Sequence, residues 1–241
     1  MKVAIMQPYF LPYIGYWHLV ASVDKFVLLD DVNYINRGWI NRNQIMVNGT
    51  PTWLTLPIQG ASQNRLILEL ELTERKAWQP NFEKTIQHAY ARAPYFKDGF
   101  ALFKQIMGEM DGNLSESLSK SISSVVQIFK LTTEIVPTSR IFPKGGLKGQ
   151  ERILDICMSL GATEYVNAPG GHGLYEASAF LEAGVKLSFL SEQFTNELRS
   201  GSTDGTPLSI LDTMMYNSFL NISGNLLKKC QLTFPSREKD S

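Results

Sequence analysis

Two short apolar runs near the start of the chain constrain its fold more than anything that follows. Residues 3–6 (VAIM) and 26–29 (FVLL) have the length and composition of buried strands. Between them, residues 7–14 carry two prolines and three aromatics, which rules out a regular helix there. Residues 15–23 then show helical spacing, with Leu19, Val20 and Val23 on one face. A strand, a helical crossover and a second strand normally close a right-handed parallel unit, so 3–6 and 26–29 are expected as adjacent parallel strands.

Downstream, residues 53–58 (WLTLPI) and 66–72 (LILELEL) read as further strands, the second with one face in solvent because it alternates apolar and acidic residues. From 78 to about 130 the pattern is helical, broken at Ala93-Pro94 and at Asp111-Gly112-Asn113, which predicts three helices. Strand signals at 133–136, 164–166 and 185–190 then alternate with helix signals at 150–160 and 174–183, and 207–217 is helical. Residues 234–241 read as a frayed, charged tail. The expectation is an α/β protein with a mostly parallel, doubly wound, Rossmann-like sheet. One domain would span 1–220 with a helical insertion at about 78–130, followed by a partly flexible extension at 221–241.

Composition limits the partners. Lys plus Arg and Asp plus Glu balance at 23 each in 241 residues, against the basic excess that nucleic-acid binding by bulk charge requires. No window reaches eighteen apolar residues, and the opening apolar stretch is too short for a signal-peptide core. A soluble, cytoplasmic protein without membrane insertion is expected. Cys157 and Cys230 have no metal-binding spacing, and Cys157 falls among Ile153, Ile156 and Leu160 in an apolar helical pattern, which makes it a core residue.

In doubly wound sheets ligands collect at the C-terminal ends of the strands, and the sequence gathers its most unusual residues there. In the loop after the first strand, Gln7, Tyr13, Gly15 and Tyr16 are candidates for substrate binding. Gly15 would allow close backbone approach, and the N–H groups opening the next helix could hold an anion. His18 is the nearby imidazole and a candidate general base. After the second strand, residues 30–43 hold two acids, two arginines and four asparagines. Asp31 is a second candidate base. Asp30, Tyr34, Asn36, Arg37, Asn41, Arg42 and Asn43 offer hydrogen bonds and charge to phosphates and hydroxyls, and Tyr34 and Trp39 could stack on a base or sugar ring. Gly171 and His172, in a glycine-rich loop after a later strand, would form a second wall. His88 reads as structural, and His18, His172 and Asp31 have no diagnostic metal spacing, so no metal is expected.

The segment Phe10-x-Pro12-Tyr13-x-Gly15-Tyr16 resembles the F-x-P-x-H-x-G-H loop of the nucleotidylyltransferase superfamily, which includes pantothenate synthetase, with tyrosines where the histidines would stand. The series MQPYFLPYIGY, DDVNYINRGWINRNQI, LGATEYVNAPGG and SILD resembles, in order, the WbqC-like family, from the first residue to about Asn217. That resemblance implies a bacterial protein of surface-polysaccharide (O-antigen) biosynthesis, acting on a nucleotide-linked amino-sugar. The expected reaction is transfer of an acyl or aminoacyl group to its amine, with a phosphopantetheine thioester on an acyl carrier protein as donor. Two alternatives stand beside it: an ATP-using nucleotidylyltransferase or ligase, and a non-catalytic nucleotide-sugar-binding protein of the same pathway.

Overall fold

Strand β1 (Lys2–Met6) is the centre from which the sheet is built. It pairs in parallel with β2 (Lys25–Leu28) on one side and with β8 (Glu164–Asn167) on the other. The computed structural model describes residues 1–191, 207–227 and 231–234. Within it, β7 (Glu134–Val136) extends the sheet in parallel beyond β2, β9 (Lys186–Leu190) does so beyond β8, and the short β10 (Leu232–Thr233) adds antiparallel to β9. The order is β10-β9-β8-β1-β2-β7.

Successive side chains of β1 point to opposite faces, and both faces are covered. Ala4 packs in one cluster with Tyr16, Trp17, Leu19 and Val20 of helix α1 (Ile14–Ala21), while Val3 and Ile5 pack in a second with Ile153, Ile156 and Cys157 of α5 (Gly149–Ser159) and Phe180 of α6 (Ala177–Glu182). A strand buried on both sides reads as an unbroken apolar run, which is why VAIM was legible. The inserted segment forms the three expected helices, α2 (Gln79–Tyr90), α3 (Phe96–Glu109) and α4 (Leu114–Ile128). Asn113 caps the last of them by accepting from the Glu116 amide at 3.2 Å.

Two strand expectations need correction. The strand expected at 53–58 is found in part and shifted, as β4 (Thr50–Thr55), and it lies outside the main sheet: it forms an antiparallel hairpin with β3 (Arg42–Val47), through a two-residue turn in which Asn48 and Gly49 both have positive φ. The alternating run at 66–72 is interrupted by a 3₁₀ turn, Ile67–Glu69. Its buried members Ile67 and Leu70 are three apart, and three residues is one turn of that helix. The Glu69 carboxylate folds back to accept the Leu66 amide at 2.9 Å. On either side of the turn the chain is extended, Leu66 bridging Asn33 and β6 (Glu71–Leu72) pairing with β5 (Ile58–Gln59). The tail expected at 234–241 lies, except for Phe234, outside the described residues.

The loop between β1 and α1 is held by its own carbonyls. Asn43 donates to the oxygens of Phe10 (3.1 Å) and Leu11 (2.8 Å), Ser209 donates to Leu11 (2.9 Å), and the Trp17 indole and the Ile210 amide both donate to Pro12. The SILD segment opening α7 (Ile210–Tyr216) is thus a clamp on this loop. Leu11 sits at φ 42, a region costly for a side-chain-bearing residue, and its surroundings hold it there. Replacing Asn43 by Ala leaves the Phe10 carbonyl without its donor in a buried setting. The expected loss is about 1–3 kcal/mol, measured as a lower urea midpoint at unchanged slope. Asn43→Asp, which sets a carboxylate against two carbonyl oxygens, should lose at least as much.

Candidate functional site

Read outward from β1, the parallel strands run β1, β2, β7 on one side and β8, β9 on the other, so connections reverse direction between β1 and β8. Ligand crevices in open α/β sheets form outside the carboxyl ends of the strands at such a reversal. Gln7 follows β1 there, and Ala168 follows β8. Gln7 is half-buried. Gly171 is buried, and a Cβ on it would strike the Asn167 side-chain amide, so glycine lets this loop close down over the strand end. His172 is exposed and stacks on Phe189 at the end of β9, with centroids 3.9 Å apart.

Other candidates in the first loop face inward. Tyr16 is buried, its hydroxyl donates to the Gln7 carbonyl at 3.2 Å, and burial raises its pKa well above that of a free phenol. Its neighbour Tyr9, centroid 5.5 Å away, is pushed up to about 12 by burial, with Tyr13 adding to the rise. Gly15 lies under the ring of half-buried Tyr13, with no room there for a Cβ. His18 is enclosed within α1's packing. Its Nε2 donates to the Leu226 carbonyl at 3.1 Å, a bond that fixes the tautomer because a carbonyl can only accept.

The paired acids are the hub of a buried polar network. Asp30 accepts from the hydroxyls of Ser115 (2.6 Å), Thr138 (2.8 Å) and Ser139 (3.2 Å), and from the Ser139 amide (3.0 Å). Asp31 accepts from the Ser139 hydroxyl at 2.6 Å and pairs with Arg152 at 2.9 Å, while Lys144 donates to its backbone oxygen. Arg152 is 2% exposed and also donates to the carbonyls of Ser139, Phe142 and Pro143. Four elements are stapled together at this point: the end of β2, the end of β7, α4 and α5. Carboxylate oxygens so fully engaged have little capacity left to take a substrate proton. Ser115, Thr138, Ser139, Lys144 and Arg152 are participants that sequence reasoning missed, and no spacing distinguishes them from ordinary surface residues.

The asparagines and arginines of 30–43 divide in the same way. Asn41 accepts from the Tyr34 hydroxyl and donates to the Leu56 carbonyl, each at 2.8 Å, so both side chains serve the fold. Asn43 is the loop clamp. Arg42 donates to the carbonyls of Gly38 and Arg37 and lies 4.0 Å from the centre of the Trp53 ring. Asn36 and Arg37 are exposed, Arg37 at φ 60. The structure therefore brings Gln7, Gly171 and His172 to the strand ends flanking the reversal. It embeds His18, Asp30, Asp31, Tyr34, Asn41 and Asn43, and leaves Asn36 and Arg37 on the surface turn. A separate groove of about 460 Å³ lies on the helical layer, and Glu74, Arg75, Lys76, Glu83 and Asp111 give its walls both signs of charge.

The class these features define is a doubly wound α/β protein whose strand connections reverse direction between β1 and β8. The model of the WbqC-like protein family matches residues 7–223, and the chain belongs to that family. It is also similar to the uncharacterized protein Rv1507c of Mycobacterium tuberculosis, 26% identical over 189 residues that cover 78% of this chain and 81% of that protein. No solved structure matches. No helix among the described residues is long and apolar enough to cross a membrane.

His18 gives the site a testable pH signature. Burial lowers its pKa below the usual 6.5 or so, against a smaller opposing effect of the Leu226 carbonyl. The unfolded chain then binds a proton at a higher pH than the folded one, so this group's contribution is complete above about pH 6.5 and is lost as pH falls from there toward the folded value. Urea midpoints should drop between about pH 7.5 and 5.5, with a shallower drop in His18→Gln. Equal slopes for both proteins would place the acid sensitivity elsewhere.

Proposed function

We propose that this protein transfers an acyl or aminoacyl group from an already activated donor to the amine of a nucleotide-linked amino-sugar in surface-polysaccharide biosynthesis. The observation that carries the reading is the state of the loop after β1. Tyr16 turns its hydroxyl inward, and a phenol carries no positive charge in either protonation state, so a position where a nucleotidylyltransferase holds an imidazole offers none here. Forming an acyl-adenylate requires cationic stabilisation of the departing pyrophosphate. A donor that arrives activated, such as a thioester on an acyl carrier protein, does not.

On this reading the amine nitrogen attacks the thioester carbonyl carbon, the carbon–sulfur bond breaks, and the nitrogen loses one proton. With His18 and Asp31 engaged in the fold, His172 at the end of β8 is the better-placed acceptor, passing the proton on to the leaving thiolate to give an amide and a thiol. Gln7 holds the amide or carbonyl of the reacting group, and exposed Arg37 is assigned to phosphate.

Purified protein should form amide from acyl-carrier thioesters and nucleotide-linked amino-sugars, and should show no ATP-dependent pyrophosphate exchange with small acids. His172→Ala should lower kcat by about 10²–10⁴-fold, and His18→Gln by less than about threefold per folded molecule. Exchange without transfer would identify an ATP-using ligase instead. The engagement of His18, Asp30 and Asp31 in structural bonds favours one second reading, a nucleotide-sugar-binding protein without chemistry. Silence in both assays, with sugar-nucleotide binding retained, would select it.

A further inference from the structure

The β3–β4 hairpin has one buried and one open face. Asn43, Ile45 and Leu54 point into the core at 1%, 0% and 4% exposure. The opposite face carries Gln44 directly across from Trp53, with Arg42 one position along. Trp53 is 39% exposed there. Half-buried Trp39 lies beside it, ring centroids 5.5 Å apart and tilted by 46°, and Tyr13 lies 6.4 Å beyond Trp39, tilted by 51°. Trp39 is also tied to the ligand end of the sheet, because its carbonyl accepts the Phe10 amide at 3.1 Å. An aromatic row therefore runs from the loop after β1 onto the solvent side of the hairpin.

This row is not needed to close a core, since the hairpin's other face does that. Large apolar surface left in water at a strand-end loop marks a recognition site better than it marks packing. Arg42 lies over one face of the Trp53 ring, 4.0 Å from its centre and held by the carbonyls of Gly38 and Arg37, so it covers that face as a fixed cation and the open part of the row is the rest of Trp53 together with Trp39. Rings tilted by 46° and 51° make a bent surface, poorly matched to a flat nucleobase. Such a surface suits a puckered pyranose, whose C–H face carries the slight positive charge that an aromatic face attracts. Gln44 and Arg42 at its border match the sugar's hydroxyl and amide groups.

We propose that Trp39 and Trp53 form a stacking platform for a pyranose ring, bordered by Arg42 and Gln44. The platform deepens the sugar-substrate reading above and rests on it for the identity of the ligand, but it is tested by binding alone. Quenching or shift of tryptophan fluorescence is followed on titration with UDP-N-acetylglucosamine, dTDP-glucose and GDP-mannose, and with UDP, dTDP and GDP as sugar-free controls. Wild type should bind at least one sugar nucleotide more tightly than its own nucleoside diphosphate. Trp53→Ala should weaken that sugar nucleotide about tenfold, Trp53→Phe should recover most of the loss, and the affinity for the nucleoside diphosphate should stay within about twofold. Because Trp53 faces solvent, Trp53→Ala should keep the wild-type circular dichroism.

Four results overturn the proposal. Equal weakening of sugar nucleotide and nucleoside diphosphate would make the row a base platform. Unchanged affinities in both tryptophan variants would leave it without a ligand role, and so would a wild type that none of the panel perturbs. Loss of self-association in Trp53→Ala with sugar affinity intact would make it a protein contact. No acyl donor is present in these titrations, so a protein that binds sugar but transfers nothing contradicts the transfer reading and leaves the platform standing.

Discussion

The carbonyl oxygens of Phe10, Leu11 and Pro12 are the point on which this architecture turns. Donors from β3, from α1 and from the Ser209–Ile210 corner converge on three consecutive peptides that a buried loop could not otherwise satisfy. A buried polar group left unpaired costs more than a made bond gains, so the convergence removes alternatives more than it adds stability. One consequence is that Leu11 is held in a backbone region that a free loop would leave. Another is that the half-buried Gln7 and Tyr13 are carried on a rigid base. A strand-end loop fixed from three directions is suited to presenting groups to a ligand with little ordering cost.

The second fixed point is the Asp30–Asp31 hub. A buried pair such as Asp31–Arg152 adds little net stability once desolvation is counted, but removing either member leaves an uncompensated charge. Ser139 bridges the two carboxylates, so the ends of β2 and β7 cannot separate without breaking the hub. Residues that looked like chemistry turn out to brace the ends of β2 and β7.

How far the sequence could be read depended on whether a signal was local. The apolar runs of β1 and β2, the helix breaks at Pro94 and Gly112, and the glycines closing α5 and α6 each announce an element within a few residues, and the parallel sheet followed from their alternation. The β3–β4 hairpin was missed although Asn48-Gly49 is a strong two-residue turn signal, because the polar run before it drew attention as a loop. The 66–72 run failed because a 3₁₀ turn can mimic strand alternation over so short a window. The positions of Gln7 and His172 after β1 and β8 were legible from the strand signals before them. The burial of Asp30, Asp31 and His18 was not, since their partners Ser139, Arg152 and Leu226 stand more than a hundred residues away. Trp53 was read only as a strand residue, because its exposure depends on a hairpin register that no local pattern displays.

On the proposed reading, ligands enter between the loops after β1 and β8. Amide hydrogen exchange, compared with and without saturating nucleotide-linked amino-sugar, tests it most directly. Slowed exchange is expected in residues 7–13 and 168–175 together, with the helical layer unchanged. Protection confined to the mixed-charge groove around residues 74–83, with both strand-end loops unaffected, would contradict it.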